Sequence, residues 1–205
     1  VYAADLDTDG DMDVLSASIV DGNVSWYKND GTGSFTANTI YTYDPNTDQA
    51  HSVYAVDIDD DGDIDVLSGS NLKISLHLNN GSESFTTQSV ITKSGGSSFR
   101  AVSIYAADID RDGDMDIVSA SLYDKIISWF ENDGSESFTR HTIYTHAEYA
   151  KSVHIADVDS DGDIDVLSTS EDKKINWYEN NGSGSFTTHQ IATSGYPYAV
   201  YATDV

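Results

Sequence analysis

An aspartate-rich nonapeptide that recurs four times is the feature that most constrains how this chain can fold. Its copies read DLDTDGDMD, DIDDDGDID, DIDRDGDMD and DVDSDGDID, and they begin at Asp5, Asp57, Asp108 and Asp157. The starts are therefore 52, 51 and 49 residues apart. A repeat period of about 50 residues predicts a repeat protein in which each unit is one supersecondary element.

Each unit carries the same series of short runs that alternate apolar with small or polar residues. A segment such as VYAAD precedes the nonapeptide, and runs such as DVLSAS, NVSWYKN and FTRHTIYT follow it, with Asn-Gly or Asp-Gly turns before the last run. The alternation is typical of strands, and these turns are typical of hairpins. We therefore predict an all-β fold of four-stranded antiparallel blades of the β-propeller type, with no helix.

The period also predicts how the chain is divided. We expect blade repeats at residues 1–52, 53–103, 104–152 and 153–199, and the first strand of a fifth repeat at residues 200–205, together forming one repeat domain. The fifth start is indicated because VYATD at residues 200–204 resembles VYAAD at residues 1–5. Five first strands exceed what a closed four-bladed ring needs. This favours an excerpt of a longer repeating chain over an open head-to-tail array of units, within one chain or between chains.

The charge excludes several classes of function. The 205 residues include 35 Asp and Glu but only 10 Lys and Arg, for a formal charge of −25. Such a surface repels phosphate, so nucleic acid is excluded as a partner. The absence of cysteine excludes disulfides and thiolate sites. No apolar run is long enough for a membrane-spanning helix, so membrane insertion is not expected.

The acidic residues are concentrated where like charges repel most. The four nonapeptides hold 21 of the 35 acidic residues, mostly at every second position. Carboxylates at positions 1, 3, 5 and 9, a glycine at position 6 and a backbone carbonyl at position 7 provide hard oxygen ligands that suit Ca²⁺ better than Mg²⁺. We expect about four Ca²⁺ ions, one per nonapeptide. The candidate ligands are Asp5, Asp7, Asp9, Asp11, Asp13, Asp57, Asp59, Asp61, Asp63, Asp65, Asp108, Asp110, Asp112, Asp114, Asp116, Asp157, Asp159, Asp161, Asp163 and Asp165.

The residue at position 12 distinguishes this loop from an EF-hand. An EF-hand has an acidic bidentate ligand there, whereas this chain has Ser16, Ser68, Ser119 and Ser168. Together with the following motif, exemplified by NVSWYKNDGTGSF, the nonapeptide resembles the FG-GAP/VCBS repeats, which also form the blades of integrin α subunits. The resemblance covers the whole chain. It implies a bladed propeller with Ca²⁺ between the first two strands of each blade, usually in secreted or surface proteins.

Two repeats depart from the family pattern. The second has Leu76 and His77 where the others have Trp followed by an aromatic residue, and the fourth has His154 and Ile155 in place of Tyr-Ala. We expect the aromatic residues of the third strands to pack between neighbouring blades rather than to bind a ligand. These residues are Trp26, Tyr27, Trp129, Phe130, Trp177 and Tyr178.

The segments between blades vary most and are the candidate interaction surface. They carry aromatic, histidine and basic residues that either bind a glycan or protein or serve only to cap the blades. These residues are Tyr43, His51, Phe99, Arg100, His146, Tyr149, Lys151, Tyr196 and Tyr198. The histidines lack metal-ligand spacing, so zinc is not expected. Asn23, Asn80 and Asn181 lie in glycosylation sequons within predicted turns.

No catalytic arrangement is apparent, because the aspartates are accounted for by calcium and no nucleophile, base and orienting group recur together. We therefore expect no enzyme. The sequence favours an extracellular calcium-binding module for adhesion or scaffolding, in which calcium is structural. The alternatives are a repeating subunit of an extracellular filament and the lectin or other non-catalytic part of a secreted carbohydrate-active enzyme.

Overall fold

A computed structural model describes residues 1–93 and 99–203, and these residues form an all-β fold. Each of its four sheets contains four strands. The strands are β1 Tyr2–Ala4, β2 Asp13–Ala17, β3 Asn23–Asn29, β4 Phe35–Thr42, β5 Ala50–Val56, β6 Asp65–Ser70, β7 Lys73–Asn79, β8 Phe85–Thr92, β9 Ala101–Ala107, β10 Asp116–Ser121, β11 Ile126–Asn132, β12 Phe138–Thr145, β13 Ala150–Ala156, β14 Asp165–Ser170, β15 Lys174–Asn180 and β16 Phe186–Thr193. No helix in the described ranges is long and apolar enough to cross a membrane.

Within each sheet, the strands pair with their neighbours in chain order. The orders are β1-β2-β3-β4, β5-β6-β7-β8, β9-β10-β11-β12 and β13-β14-β15-β16. The pairs for which a register is defined are antiparallel, as tight turns between consecutive strands require. In every sheet, the pairing register between the third and fourth strands shifts once. The shift follows Val24, Ile74, Ile127 or Ile175 in the third strand. The prediction of four-stranded antiparallel blades is confirmed.

The limits of the sheets differ in detail from the predicted divisions. The second, third and fourth sheets begin at Ala50, Ala101 and Ala150, a few residues before the predicted starts at 53, 104 and 153. Residues 200–203 form no strand, and the second strand with which a fifth first strand would pair is not part of this sequence, so the expected start of a fifth repeat stays a prediction. Asp204, the last residue of that motif, lies outside the described residues.

The chain divides into two compact units, Val1–Ala101 and Val102–Val205. In the first unit, a core that includes Leu6, Leu15, Trp26, Val53 and Val66 lies between the first and second sheets. In the second unit, the equivalent core lies between the third and fourth sheets and includes Ile109, Val118, Trp129, Val153 and Val166. Inward-facing apolar residues of adjacent sheets are thus removed from water together, which is the main favourable contribution to folding.

The aromatic residues of the third strands belong largely to these cores. Trp26, Trp129, Phe130 and Tyr178 are buried, and the ring of Trp26 meets the edge of Phe85 from the next sheet. Tyr27 and Trp177 are only partly buried. Leu76 and His77, which replace the aromatic pair in the second sheet, are fully buried. A structural role for these positions is therefore confirmed, including in the repeat that departs from the pattern.

Candidate metal centre

Four acidic loops join the first and second strands of the four sheets. We call residues 5–13, 57–65, 108–116 and 157–165 the first to fourth Asp loops. In each loop the structure brings three carboxylates together, with one oxygen atom of each lying within 4.8 Å of the others. The groups are Asp5, Asp7 and Asp13; Asp57, Asp59 and Asp61; Asp108, Asp110 and Asp116; and Asp157, Asp159 and Asp165.

The first aspartate of each loop organises the tight turn. Its Oδ2 accepts a hydrogen bond from the backbone N–H of the glycine at position 6, at 2.9 Å from Gly10 to Asp5 and at 3.0 or 3.1 Å in the other loops. The glycine adopts a φ between 92° and 102° in all four loops. An L-residue rarely adopts such a conformation, which explains why glycine recurs at position 6.

The last aspartate of each loop connects it to the third strand. In the first loop, Asp13 accepts one backbone N–H from Leu6 at 3.1 Å and another from Asn29 at 2.8 Å, through separate oxygen atoms. Asp65, Asp116 and Asp165 make the same pair of bonds in their loops. All four side chains are fully buried. Burial raises the pKa of Asp65 and of Asp116 to about 7, against the lowering effect of the two amide hydrogen bonds.

The aspartates at positions 5 and 7 are arranged differently. Position 5 accepts the backbone N–H of position 7, at 3.0 Å from Asp11 to Asp9, and it joins a carboxylate group only in the second loop, as Asp61. The side chains at position 7 face the glycine of the turn between the third and fourth strands. The pairs are Asp11 with Gly31, Asp63 with Gly81, Asp114 with Gly134 and Asp163 with Gly182. These four side chains therefore do not join the carboxylate groups.

The donor set fits a hard divalent cation. Three carboxylates that converge without a counter-charge repel one another, and a bound cation relieves this repulsion. Oδ1 of Asp57 and Oδ1 of Asp108 are buried and have no hydrogen-bond partner among the described residues. Such atoms are costly unless a ligand or water satisfies them. The second and third loops in particular thus offer oxygen atoms that a Ca²⁺ ion would satisfy.

Two basic side chains that the sequence patterns do not indicate lie at these loops. The ammonium of Lys28, on β3, contacts both Asp7 of the first loop and Glu83 of the second sheet, the latter at 2.6 Å. Hydrogen bonds to Asp7 and then to Glu83 raise the pKa of Lys28 above its ordinary value. In the second unit, Arg111 of the third loop lies 2.6 Å from Asp163 of the fourth loop. The sequence does carry a signal for both contacts. Lys28 and Arg111 stand at positions where the other repeats have an acidic or neutral residue.

The expected interaction residues between the blades divide into two kinds. Tyr43 and Phe99 are buried, with exposed fractions of 2% and 0%, which for these two residues favours the capping alternative over contact with a ligand. Tyr43 instead shares a hydrogen bond of 2.7 Å with Ser68. His51 and Arg100 both contact the side chain of Asn71, which places them in the local packing of the first unit.

The remaining expected interaction residues lie at the surface of the second unit. Tyr149, Tyr196 and Tyr198 are exposed, and His146 is exposed as well. Lys151 pairs with Glu171 at 2.7 Å and lies over the ring of Tyr198. These residues remain candidates for contact with a partner.

The asparagines of the sequons have local structural roles. Asn80 and Asn181 are exposed, and their side-chain oxygens accept backbone N–H groups of their own turns, from Ser82 and Ser183. Asp30 does the same in the turn of the first sheet. Asn23 is partly buried and accepts a hydrogen bond from Thr42. Turn formation is sufficient to explain Asn80 and Asn181 without glycosylation.

Solved structures with a similar fold extend over more chain than this one. A lectin from Agrocybe aegerita, described as recognising non-reducing terminal N-acetylglucosamine, has a TM-score of 0.65 and 20% identity, and the match covers 95% of this chain and 52% of the lectin. The V. cholerae biofilm matrix protein Bap1 has a TM-score of 0.57 and 16% identity, over 90% of this chain and 27% of that protein. The chain thus spans about half of the lectin and about a quarter of Bap1.

The sequence comparisons identify the repeat itself. No curated protein matches the chain. The FG-GAP-like repeat matches four times, at residues 5–68, 57–119, 118–168 and 157–205. These matches include all four Asp loops and the strands that follow them, in agreement with the repeat seen in the structure. The chain belongs to the FG-GAP-like repeat family.

Proposed function

We propose that this chain is a calcium-binding module of a secreted or cell-surface protein, in which calcium stiffens the blades and the exposed surface serves adhesion or scaffolding. The observation that carries this proposal is the convergence of three carboxylates in each of four equivalent loops. The candidate ligands are the loop carboxylates at positions 1, 3, 5 and 9, with position 7 contributing its backbone carbonyl.

The loop geometry indicates how calcium would stabilise a blade. The aspartate at position 9 already connects the loop to the third strand through two backbone hydrogen bonds. In the first, third and fourth loops, an ion held by positions 1, 3 and 9 would therefore link the loop between the first two strands to the third strand. It would also remove the repulsion among the carboxylates. Because the ion binds only the folded loop, it would stabilise the folded state.

Calcium removal tests this proposal directly. Extracellular calcium modules have dissociation constants of about 10⁻⁴ to 10⁻³ M. At about 10 mM Ca²⁺, each occupied loop would then add about 1.4 to 2.7 kcal/mol to the free energy of unfolding. We expect calorimetry to show a clearly lower melting temperature in EGTA than in Ca²⁺, with Mg²⁺ restoring little of the difference. An identical melt in EGTA and in Ca²⁺ would refute a structural role for calcium.

A glycan is the second candidate partner, favoured by exposed aromatic rings in the second unit. Tyr123 and Tyr149 are 45% and 42% exposed, and their rings meet edge to face at 6.4 Å. The ammonium of Lys125 lies 6.0 Å from the ring of Tyr149. Exposed aromatic faces beside polar groups suit sugar rings, which have both apolar and hydroxylated sides. The fold shared with a lectin is consistent with this candidate.

A glycan array with the calcium-loaded protein tests the second candidate. If the tyrosine pair binds sugar, Tyr149→Ala should abolish array binding while leaving the melting temperature nearly unchanged. Tyr196→Ala, which removes an exposed ring elsewhere in the second unit, is the matched control. Binding that survives Tyr149→Ala and Tyr123→Ala would exclude this pair as the glycan site. We propose no catalytic role for either surface.

A further inference from the structure

One position of the third strand differs in charge between the four repeats and lies beside the Asp loops. It immediately precedes the asparagine whose backbone N–H bonds to position 9. Its pairing partner is a threonine of the fourth strand in every sheet, which establishes that the register is the same. The residues at this position are Lys28, Leu78, Glu131 and Glu179.

In the first sheet, this position places a cation at the loop. The Lys28 ammonium contacts Asp7, which is a member of the carboxylate group of the first loop. The same ammonium is held from the other side by Glu83 at 2.6 Å. The side chain of Asp7 is only 9% exposed, whereas that of Lys28 is 32% exposed. The first loop therefore has a positive charge of its own, fixed by two carboxylates.

In the third and fourth sheets, the same register position carries a carboxylate, Glu131 or Glu179, instead of a cation. The two glutamates are oriented by histidines of the fourth strands, at 2.6 Å from His141 and from His189. Arg111 of the third loop contacts Asp163 of the fourth loop, whose side chain is not a member of a carboxylate group.

We infer that the first loop binds calcium more weakly than the other three loops, because Lys28 contacts a member of its carboxylate group and competes with the ion, whereas the equivalent position carries Leu78, Glu131 or Glu179 in the other sheets. The inference rests on the proposed function, because it describes how the calcium sites of that function are graded. The interaction between a divalent ion and a fixed charge a few ångströms away readily exceeds a tenfold effect on affinity.

The test is calorimetric titration of the full chain with Ca²⁺ after chelation. We expect at least two classes of site, with one ion bound roughly tenfold more weakly than the others. Asp5→Asn should remove that weak step and leave the stronger steps in place, because Asp5 belongs only to the first loop. Lys28→Leu, which introduces the residue of the second repeat, should strengthen the weak step by about tenfold, and Lys28→Glu should strengthen it further.

The matched control is Lys125→Leu. It changes the net charge by the same amount, but Lys125 pairs with Glu148 in the second unit and does not contact an Asp loop. It should leave the titration unchanged. Four equal sites in the wild type, or an unchanged weak step in Lys28→Leu, would overturn the graded affinities while leaving the proposed function intact. The absence of any calcium binding would overturn the proposed function instead.

Discussion

The surroundings of one serine in the second strand of each sheet differ between the repeats. Ser168 Oγ shares a hydrogen bond of 2.9 Å with the hydroxyl of Tyr178, and Ser68 Oγ shares one of 2.7 Å with the His77 ring. In the third sheet, Phe130 takes the register position of Tyr178, and the buried hydroxyl of Ser119 has no hydrogen-bond partner among the described residues. The serine hydroxyl thus has a side-chain hydrogen-bond partner in the second and fourth sheets, but none among the described residues in the third sheet.

Removing the hydroxyl of Tyr178 should therefore destabilise the fourth sheet. Tyr178→Phe leaves Ser168 without this partner in a buried site, and we expect a loss of about 1 to 2 kcal/mol in the free energy of unfolding. The reverse change in the third sheet, Phe130→Tyr, should stabilise the protein by about 1 kcal/mol by satisfying Ser119. Urea denaturation measures both effects. Tyr196→Phe, at an exposed ring, is the control, and an equal loss there would contradict the role of the buried hydrogen bond.

His77 should make the first unit sensitive to acid. Burial, assisted by the charge of Lys73, lowers the pKa of His77 to about 3, whereas a histidine in an unfolded chain has a pKa of about 6.5. Between these values the unfolded chain takes up a proton that the folded chain does not. The free energy of unfolding should therefore fall as the pH is lowered from 6.5 towards 3, by roughly 2 kcal/mol at pH 5.

The variant His77→Tyr isolates this effect, because tyrosine occupies the same register in the first and fourth sheets. Its stability should fall less between pH 6.5 and 5 than that of the wild type, as measured by urea denaturation in saturating Ca²⁺. His146→Gln changes an exposed histidine in the second unit and serves as the control. A parallel fall in stability for wild type and His77→Tyr would exclude His77 as the source of acid sensitivity.

At the scale of the element, the Asp loop and the following turn form one packed end of each sheet. The glycine of the turn between β3 and β4, Gly31, has a φ of 71°, and a Cβ there would collide with the carboxylate of Asp11. Gly33 in the same turn has a φ of 88° but no atom within 4 Å of its Cβ position. An alanine at position 33 would therefore meet only the cost of the left-handed backbone conformation. An alanine at position 31 would meet that cost and also the cost of the contact with Asp11.

Gly31→Ala should consequently destabilise the protein more than Gly33→Ala. Both variants place an L-residue in the left-handed region, which costs about 1 to 2 kcal/mol, but only Gly31→Ala also displaces Asp11. The difference between the two losses, measured by thermal unfolding, reports the contact. The double variant Gly31→Ala with Asp11→Ala should recover part of that difference. Equal losses for the two single variants would show that the Asp loop does not pack on the turn.

The sequence predicts most of each element and little of what joins one sheet to the next. Hydrophobic alternation and the Asn-Gly or Asp-Gly turns locate the strands because both signals are local. The aspartate spacing similarly indicates that positions 1 and 3 converge, but it does not indicate that position 5 joins them only in the second loop. The contact of Lys28 with Glu83 depends on the position of the adjacent sheet, which no local pattern specifies. The sequence likewise leaves open whether Tyr43 contacts a ligand or caps the blades, because its burial depends on the second sheet.

At the scale of the whole molecule, the charge of −25 is a property of a few local sites. The four Asp loops contain 21 of the 35 acidic residues, and four bound Ca²⁺ ions would add eight positive charges where the repulsion is greatest. The remaining acidic residues are spread along the chain, and several form ion pairs, such as Glu171 with Lys151. Because the ions bind where the carboxylates are closest together, calcium should stabilise the folded state far more than eight positive charges spread over the surface would.

The dependence of stability on salt tests this concentration of charge. In EGTA, raising KCl from about 50 to about 500 mM should increase the melting temperature, because the screening length falls from above 10 Å to a few ångströms and weakens the repulsion within the loops. In saturating Ca²⁺ the same salt series should produce a much smaller increase, because the ions already neutralise those carboxylates. Differential scanning calorimetry measures both slopes on the same protein. Equal slopes in EGTA and in Ca²⁺ would place the dominant repulsion outside the Asp loops.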